Sequence, residues 1–184
     1  AVKKGIVPSR LIHQAMIPAI NKVGVLFDRK EYFLPQLIAS AEAMKIAFDH
    51  LKHYYNKDEL ARKKKKVVLL ATVKGDIHDI GKNIVSLMLR NHSFCVIDLG
   101  KDVSSQRIIR EAKKYKSPII GLSALMTTTM VNMKEVVDRA KKEGLRCKFI
   151  IGGAVVTKAY AQSLGAEYAA DSVEAVRVLK KISS

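Results

Sequence analysis

The chain has 184 residues, 48% of them apolar, with 33 Lys and Arg against 17 Asp and Glu, a net charge of +16. The length suits one domain with a small appendage, the apolar share suffices for a core, and no apolar run approaches the ~20 residues of a membrane span. The basic excess raises nucleic-acid binding, but Lys63–Lys66 is one local run and few aromatics are interleaved for base stacking. A solvated basic surface is the first reading and attraction to an acidic protein partner the second. No secretory signal is visible, and Cys95 and Cys147 lie apart in strand-like apolar runs. They read as buried free thiols of a reducing, cytoplasmic setting.

The first part of the chain, from Pro8 to about Tyr55, has helical periodicity. Ile12, Ala15, Met16, Ala19, Ile20 and Val23 fall on one face, Ser9 is a candidate N-cap, and Pro18 should kink or split the helix. A second helix runs through EYFLPQLIASAEAMKIAFDHL, with Leu37, Ile38, Ala41, Met44, Lys45 and Phe48 along one stripe and Pro35 in its first turn. Residues 1–4 read as the end of an earlier helix. The polar stretch YYNKDELARKKKK reads as a linker. The boundaries expected are a helical domain over 1–56, a linker over 57–66 and a second domain over 67–184.

From Lys66 onward short β-rich runs alternate with amphipathic helical stretches. Strands are predicted at Val67–Thr72, Phe94–Asp98, Ile119–Ser123, Lys148–Ile151 and Tyr168–Ala170. Helices are predicted at Ile80–Asn91, Ser105–Tyr115, Met130–Glu143, Thr157–Leu164 and Ser172–Ile182. Five β/α pairs imply an α/β fold, a doubly wound, Rossmann-like (flavodoxin-like) five-stranded parallel sheet flanked by helices. Ligands of such sheets bind at the carboxyl ends of the strands, near the topological switch point. That selects VKGDIHDIG, LGKDVS, SALMTTTM, GGAVVT and ADS as the loops that matter.

The loop after the first strand contains no G-x-G-x-x-G triplet and no Walker lysine pattern, which argues against ordinary NAD or ATP binding. Asp76 or Asp79 can cap the helix that begins near Ile80. His78 reads either as a surface histidine in a turn or as a ligand. In the second case a neighbouring carboxylate fixes its tautomer, and the other ring nitrogen faces a metal or a proton. No second His or Cys stands nearby to complete a zinc site, so the metal would have to arrive already held. Gly152 and Gly153 permit a close approach to the backbone or make a tight turn. Ser123, Thr127, Thr128 and Thr129 supply hydroxyls for a ligand or for a helix cap.

Together, DIHDIG (Asp76, His78, Gly81), SAL (Ser123, Leu125) and GG (Gly152, Gly153) resemble the D-x-H-x-x-G, S-x-L, G-G signature of cobalamin-binding domains. Those are the domains of methionine synthase and of corrinoid methyltransferase proteins. NKVGVLFDRKEYFLPQLIASAEAMK resembles the same family's helical cap, so the likeness covers essentially the whole chain. It implies a small all-helical cap domain before a Rossmann-like domain, with cobalamin as cofactor.

By that resemblance His78 is the lower axial ligand of cobalt, displacing the cofactor's dimethylbenzimidazole, and Asp76 is its hydrogen-bond partner. Thr129 extends the relay. Gly81, Ser123, Leu125, Thr127, Gly152 and Gly153 meet the cofactor, several of them along the slot for its nucleotide tail. Phe27 and Leu34 cover its upper face, or else belong to the bundle core. Cob(I)alamin takes a methyl group from a donor and methylcobalamin passes it on. His78 leaves cobalt(I), its pair with Asp76 takes up a proton, and the cap moves in each turnover.

The wording of FLPQLIASAEAMK, NIVSLMLRNHSF and DLGKDVS resembles the cobalamin module of a bacterial methionine synthase, carrying methyl from methyltetrahydrofolate to homocysteine. The start AVKKG, without Met, reads as an excised piece of it. The alternatives are a stand-alone corrinoid protein of a methanol, methylamine or methoxyaromatic system and a cobalamin-sensing regulator. The partners implied are methyl-donor and methyl-acceptor methyltransferase domains or subunits and an acidic reductive-activation partner.

Overall fold

The computed structural model describes residues 6–52, 66–92 and 94–183. The stub expected at residues 1–4 and all but the last residue of the expected linker lie outside them. The chain divides into two compact units, Ala1–Leu60 and Ala61–Ser184.

In the first unit, α1 (Pro8–Leu11) passes through a π-helical turn, Ile12–Met16, into α2 (Ile17–Asp28). The helix starts at Pro8, so Ser9 lies inside it and is not its N-cap. At Pro18 the α-helical run is interrupted by that π turn, and helical backbone continues on both sides. The proline follows the π turn and sits in the first turn of α2. A proline ring clashes with the carbonyl one α-turn back, and widening that turn to π relieves the clash. The extra width also shifts the phase of the apolar face. Ile12 is buried, whereas Ala15 and Ala19, expected beside it, are exposed. In α3 (Leu34–Lys52) the buried residues are Met44, Phe48 and Leu51, spaced i, i+4, i+7. Ile38, expected on that stripe, is half exposed. Before α3, the Phe33 N–H donates to Gln36 Oε1 at 3.1 Å.

In the second unit the elements alternate: β1 (Val67–Thr72), α4 (Ile80–Asn91), β2 (Cys95–Asp98), α5 (Ser105–Lys114), β3 (Ile119–Ser123), α6 (Thr127–Lys142), β4 (Lys148–Gly152), α7 (Lys158–Leu164), β5 (Glu167–Tyr168) and α8 (Ser172–Ile182). All strand pairs are parallel, in the order β2-β1-β3-β4-β5. The chain leaves β1 for β2 on one side and returns to β3 on the other, so the switch point lies between β1 and β3. The expected five-stranded sheet is present. Its departures from expectation are at element ends, and the one that matters is α6, which begins at Thr127 instead of Met130.

Side chains alternate across the sheet. Val68, Leu70, Val96, Ile119 and Ile150 pack with α4 and α8 on one face. Leu69, Ala71, Ile120, Leu122 and Ile151 pack with α5, α6 and α7 on the other. Burial on both faces is why these strands read as unbroken apolar runs, and each buried Leu or Ile contributes about 1.5–3 kcal/mol. Cys95 and Cys147 are free but half-buried, not buried as expected. Burial pushes the Cys147 thiol up to about 11. Among the described residues no helix is long and apolar enough to cross a membrane.

Candidate functional site

The site is built by the two loops that flank the switch point. After β1, Val73 stays alongside β3 by donating to the Ser123 carbonyl at 3.1 Å. The Asp76 N–H then donates to the Val73 carbonyl at 3.1 Å, closing a four-residue turn. Gly75, third in that turn, has φ +79, the value a type II turn needs there and the reason for glycine. The turn sends Asp76 inward, beneath the start of the loop after β3.

Asp76 is fully buried. Its Oδ1 accepts from the His78 backbone N–H at 3.0 Å and lies 2.9 Å from His78 Nδ1. Its Oδ2 accepts from the Leu125 N–H at 2.7 Å and the Thr129 hydroxyl at 2.7 Å, with the Met126 N–H at 3.4 Å. Burial alone would raise the pKa of this carboxyl. The hydrogen bonds from Leu125, Thr129 and His78 outweigh it and hold the group well below the usual carboxylate range. An ionised carboxylate can only accept, so the imidazole proton resides on Nδ1. The lone pair is left on Nε2, the ring atom away from Asp76.

His78 is therefore not a loose surface histidine, although 46% of its side chain is exposed. Its tautomer is set from below while Nε2 is available to a Lewis acid or a proton. Among the described residues no group of three or more His, Cys, Asp or Glu side chains could hold a metal ion. One aimed imidazole without companions suits a metal whose other positions are already filled.

The other expected site residues divide. Thr129 joins the relay because α6 starts three residues early. Its first turn carries the hydroxyl, with the Met126 carbonyl 2.9 Å from Oγ1. Leu125 takes part through its backbone, and its side chain is exposed. Thr127 is exposed at the first position of α6, and Ser123, half-buried, ends β3 in register with Thr72 and Gly152. Gly81 lies exposed in the first turn of α4, where an added Cβ would meet no atom within 4 Å. Asp79 occupies the N-cap position of α4, but its side chain makes no capping hydrogen bond. In the first unit Phe27 is 39% exposed, and the side chain of Leu34 lies outside the described residues.

Gly152 and Gly153 have a steric cause within the protein. A Cβ at Gly153 would stand 1.9 Å from the Ala124 carbonyl oxygen, and one at Gly152 would stand 2.6 Å from that of Ala169. At both glycines the chain itself approaches the backbone closely on the side a Cβ would occupy.

Sequence reasoning missed several residues around this turn. Lys82, buried in the first turn of α4, donates to both carboxylate oxygens of Asp98 at 2.6 and 2.7 Å, tying the helix start to the end of β2. The only sequence signal was a charge closing the apolar run FCVID. Asp102, in the loop after β2, has a left-handed backbone with φ +53. Its carboxylate accepts from the Gly75 N–H at 2.7 Å, and its own N–H donates to the Asp76 carbonyl at 3.0 Å. Asn132 on α6 donates to the Lys74 carbonyl at 2.8 Å. Thr72, at the end of β1, is fully buried with its hydroxyl unpartnered.

Comparison with known proteins adds the chemistry that this geometry leaves open. Two family models match, each described as a B12 binding domain, one over residues 66–178 and the other over residues 1–52. A dimethylamine corrinoid protein of Methanosarcina acetivorans is 42% identical, with 95% of this chain and 83% of that protein aligned. The solved monomethylamine corrinoid protein of Methanosarcina barkeri superposes with a TM-score of 0.79 at 34% identity, covering 99% of this chain and 87% of that one. A methanol:cobalamin methyltransferase complex of Methanosarcina barkeri contains a chain that superposes with a TM-score of 0.64 at 32% identity, covering 99% and 70%.

These relatives correct the expectation of a methionine synthase module: the likeness runs to corrinoid proteins. The stretches that suggested methionine synthase, FLPQLIASAEAMK, NIVSLMLRNHSF and DLGKDVS, lie in a chain that aligns with corrinoid proteins over 95% of its length. With both units matched, the chain belongs to the B12-binding domain family, and its cofactor is cobalamin.

Proposed function

We propose that this chain is a methyl-carrying corrinoid protein of a methylamine-type methyltransferase system, with His78 as the lower ligand of cobalt. The observation that carries the reading is the imidazole fixed by a fully buried, ionised Asp76, with Nε2 left available. The residues fit the cofactor. A lone nitrogen donor cannot hold a bare ion, but it would serve as one more ligand to a cobalt that a corrin ring already holds.

Bound cobalamin supplies a metal that accepts a methyl group and gives it up again. The chain's own residues do the rest. Asp76 keeps the proton on Nδ1 and stabilises positive charge on the ring whenever Nε2 is protonated instead of bound to metal. Thr129 and the Leu125 N–H hold that carboxylate in place, so the imidazole it carries keeps its aim. Gly81, without a side chain and with open space where one would be, leaves the entrance of α4 clear for the cofactor's nucleotide tail. Ser123, Leu125 and Thr127 line the same end of the sheet. The boundaries read from the sequence, 1–56, 57–66 and 67–184, serve as cap, linker and carrier domain.

The partners are separate methyltransferase proteins that load and unload the methyl group, and an acidic activating protein drawn by the net charge of +16. A methylated amine is the favoured donor because relatives such as the dimethylamine corrinoid protein align over 95% of this chain. Two measurements test the reading. Adding methylcobalamin to the purified chain should give the visible spectrum of the base-off, His-on form, and His78→Ala should abolish the change. An unchanged free-cofactor spectrum with the wild-type chain would remove the cobalt-ligand assignment. For the donor, the loaded chain paired with a dimethylamine methyltransferase should be methylated by dimethylamine. Methylation only with a methanol methyltransferase would move the assignment to that class.

A further inference from the structure

The turn that delivers Asp76 has one soft element, its central peptide, Lys74–Gly75. A peptide between the second and third residues of a four-residue turn can rotate, and that rotation separates type I from type II turns. Here both ends of this single peptide unit are held by side chains from different elements. Its carbonyl accepts from Asn132 Nδ2 at 2.8 Å, and its N–H donates to Asp102 Oδ1 at 2.7 Å. Asp102 also holds the next residue, because its own N–H donates to the Asp76 carbonyl at 3.0 Å. It does so from a left-handed backbone, φ +53, that costs a non-glycine residue energy and that Asp tolerates better than most.

We propose that Asp102 and Asn132 are positioning residues that lock this peptide in one orientation and thereby fix Asp76, and through it His78, against the cofactor. A flipped peptide would turn the Gly75 N–H away from Asp102 and the Lys74 carbonyl away from Asn132. Asp76, the last residue of the turn, would lose its register with Leu125 and Thr129, and the His78 ring would lose its fixed partner. The clamp sits at neither the metal nor the relay. It acts on the backbone that carries both.

The inference rests on the assignment of His78 as cobalt ligand, and the experiment separates the two. The full chain is loaded to saturation with cob(II)alamin. The fraction with imidazole bound is read from the nitrogen splitting of the cobalt EPR signal, with His78→Ala as the reference. In the ligand-free chain, Gly75 amide exchange is followed by NMR alongside the melting temperature. Asp102→Gly keeps the backbone conformation and deletes the acceptor, Asn132→Ala deletes the donor, and Asp102→Asn restores an acceptor. The first two should speed Gly75 exchange by about tenfold, the factor a lost hydrogen bond supplies, and lower the imidazole-bound fraction at saturation. Asp102→Asn should return both towards wild type. Normal imidazole binding in Asp102→Gly and Asn132→Ala, whatever their melting temperatures, would overturn the clamp and leave the His78 assignment intact. Should His78→Ala leave the wild-type signal unchanged, both ideas fall together. If Asp102→Gly does not fold, Asn132→Ala tests the same peptide from its other end.

Discussion

The turn after β1 and the turn after β4 stand at the same end of the sheet, and the sequence marks both as ligand loops. They are shaped by different forces. After β1 the conformation is held by hydrogen bonds: one buried carboxylate collects Leu125, Thr129 and His78, and two side chains pin the peptide before it. After β4 it is held by contact, since Gly153, at φ +130, lies so close to Ala124 that no other residue fits. The first turn is specified by what its side chains reach, the second by what its residues lack. Changes at the second should therefore act on folding, and changes at the first should act on the cofactor as well.

The largest effect is expected at Gly153→Ala. The new Cβ would overlap the Ala124 carbonyl oxygen, at 1.9 Å, in a backbone region that L-residues rarely adopt. Strain plus displacement of a strand-end backbone should cost about 4 kcal/mol or more, much of a domain's total stability. Loss of soluble yield, or a large drop in the urea midpoint, checks this. A fold as stable as wild type would break the distinction between the two turns.

Asp76→Ala comes next. It strands the Leu125 and His78 N–H groups and leaves the Thr129 hydroxyl only the Met126 carbonyl, and should cost roughly 2–4 kcal/mol. Unlike Gly153→Ala, it should also abolish the His-on spectrum in whatever fraction remains folded at saturating methylcobalamin. Thr129→Val removes one donor and should cost about 1–2 kcal/mol, with Thr129→Ser restoring most of it. Denaturant unfolding of the three variants, read beside their cobalamin spectra, separates stability from aim.

How much was legible follows the same division. The α/β architecture was readable because strands buried on both faces are plain apolar runs and α5 is plainly amphipathic. His78, Asp76 and Thr129 were nameable because they belong to a motif, and the structure adds the distances that join them. The glycine pair was legible as a close approach, but not what approaches: Ala124 and Ala169 are distant in sequence and no local pattern points to them. Asp102 and Asn132 were invisible for a related reason. Each is an ordinary polar residue whose importance comes from a partner 27 or 58 positions away. The first helix misled because the π turn moves its apolar face, a tertiary accommodation of Pro18 that a strict 3.6-residue period cannot express.

The smallest expected effect on the protein alone is at Gly81, and it bears on the comparison most directly. Gly153 is glycine because the protein fills the place of its Cβ. At Gly81 an added Cβ would meet nothing within 4 Å, and the residue lies in the first turn of a helix, where alanine is the better helix former. Judged by the ligand-free protein, Gly81→Ala should be stabilising by about 0.5–1 kcal/mol. The proposed function supplies another reason for glycine at this place beside the His78 turn: that space would take the cofactor's nucleotide tail. Gly81→Ala should then raise the urea midpoint of the empty chain while weakening its binding of cobalamin. Cobinamide, which lacks the tail, should bind as it does to wild type. Equal weakening for both ligands would place the obstruction at the corrin instead of the tail. No weakening for either would mean that this glycine answers to neither the protein nor the cofactor.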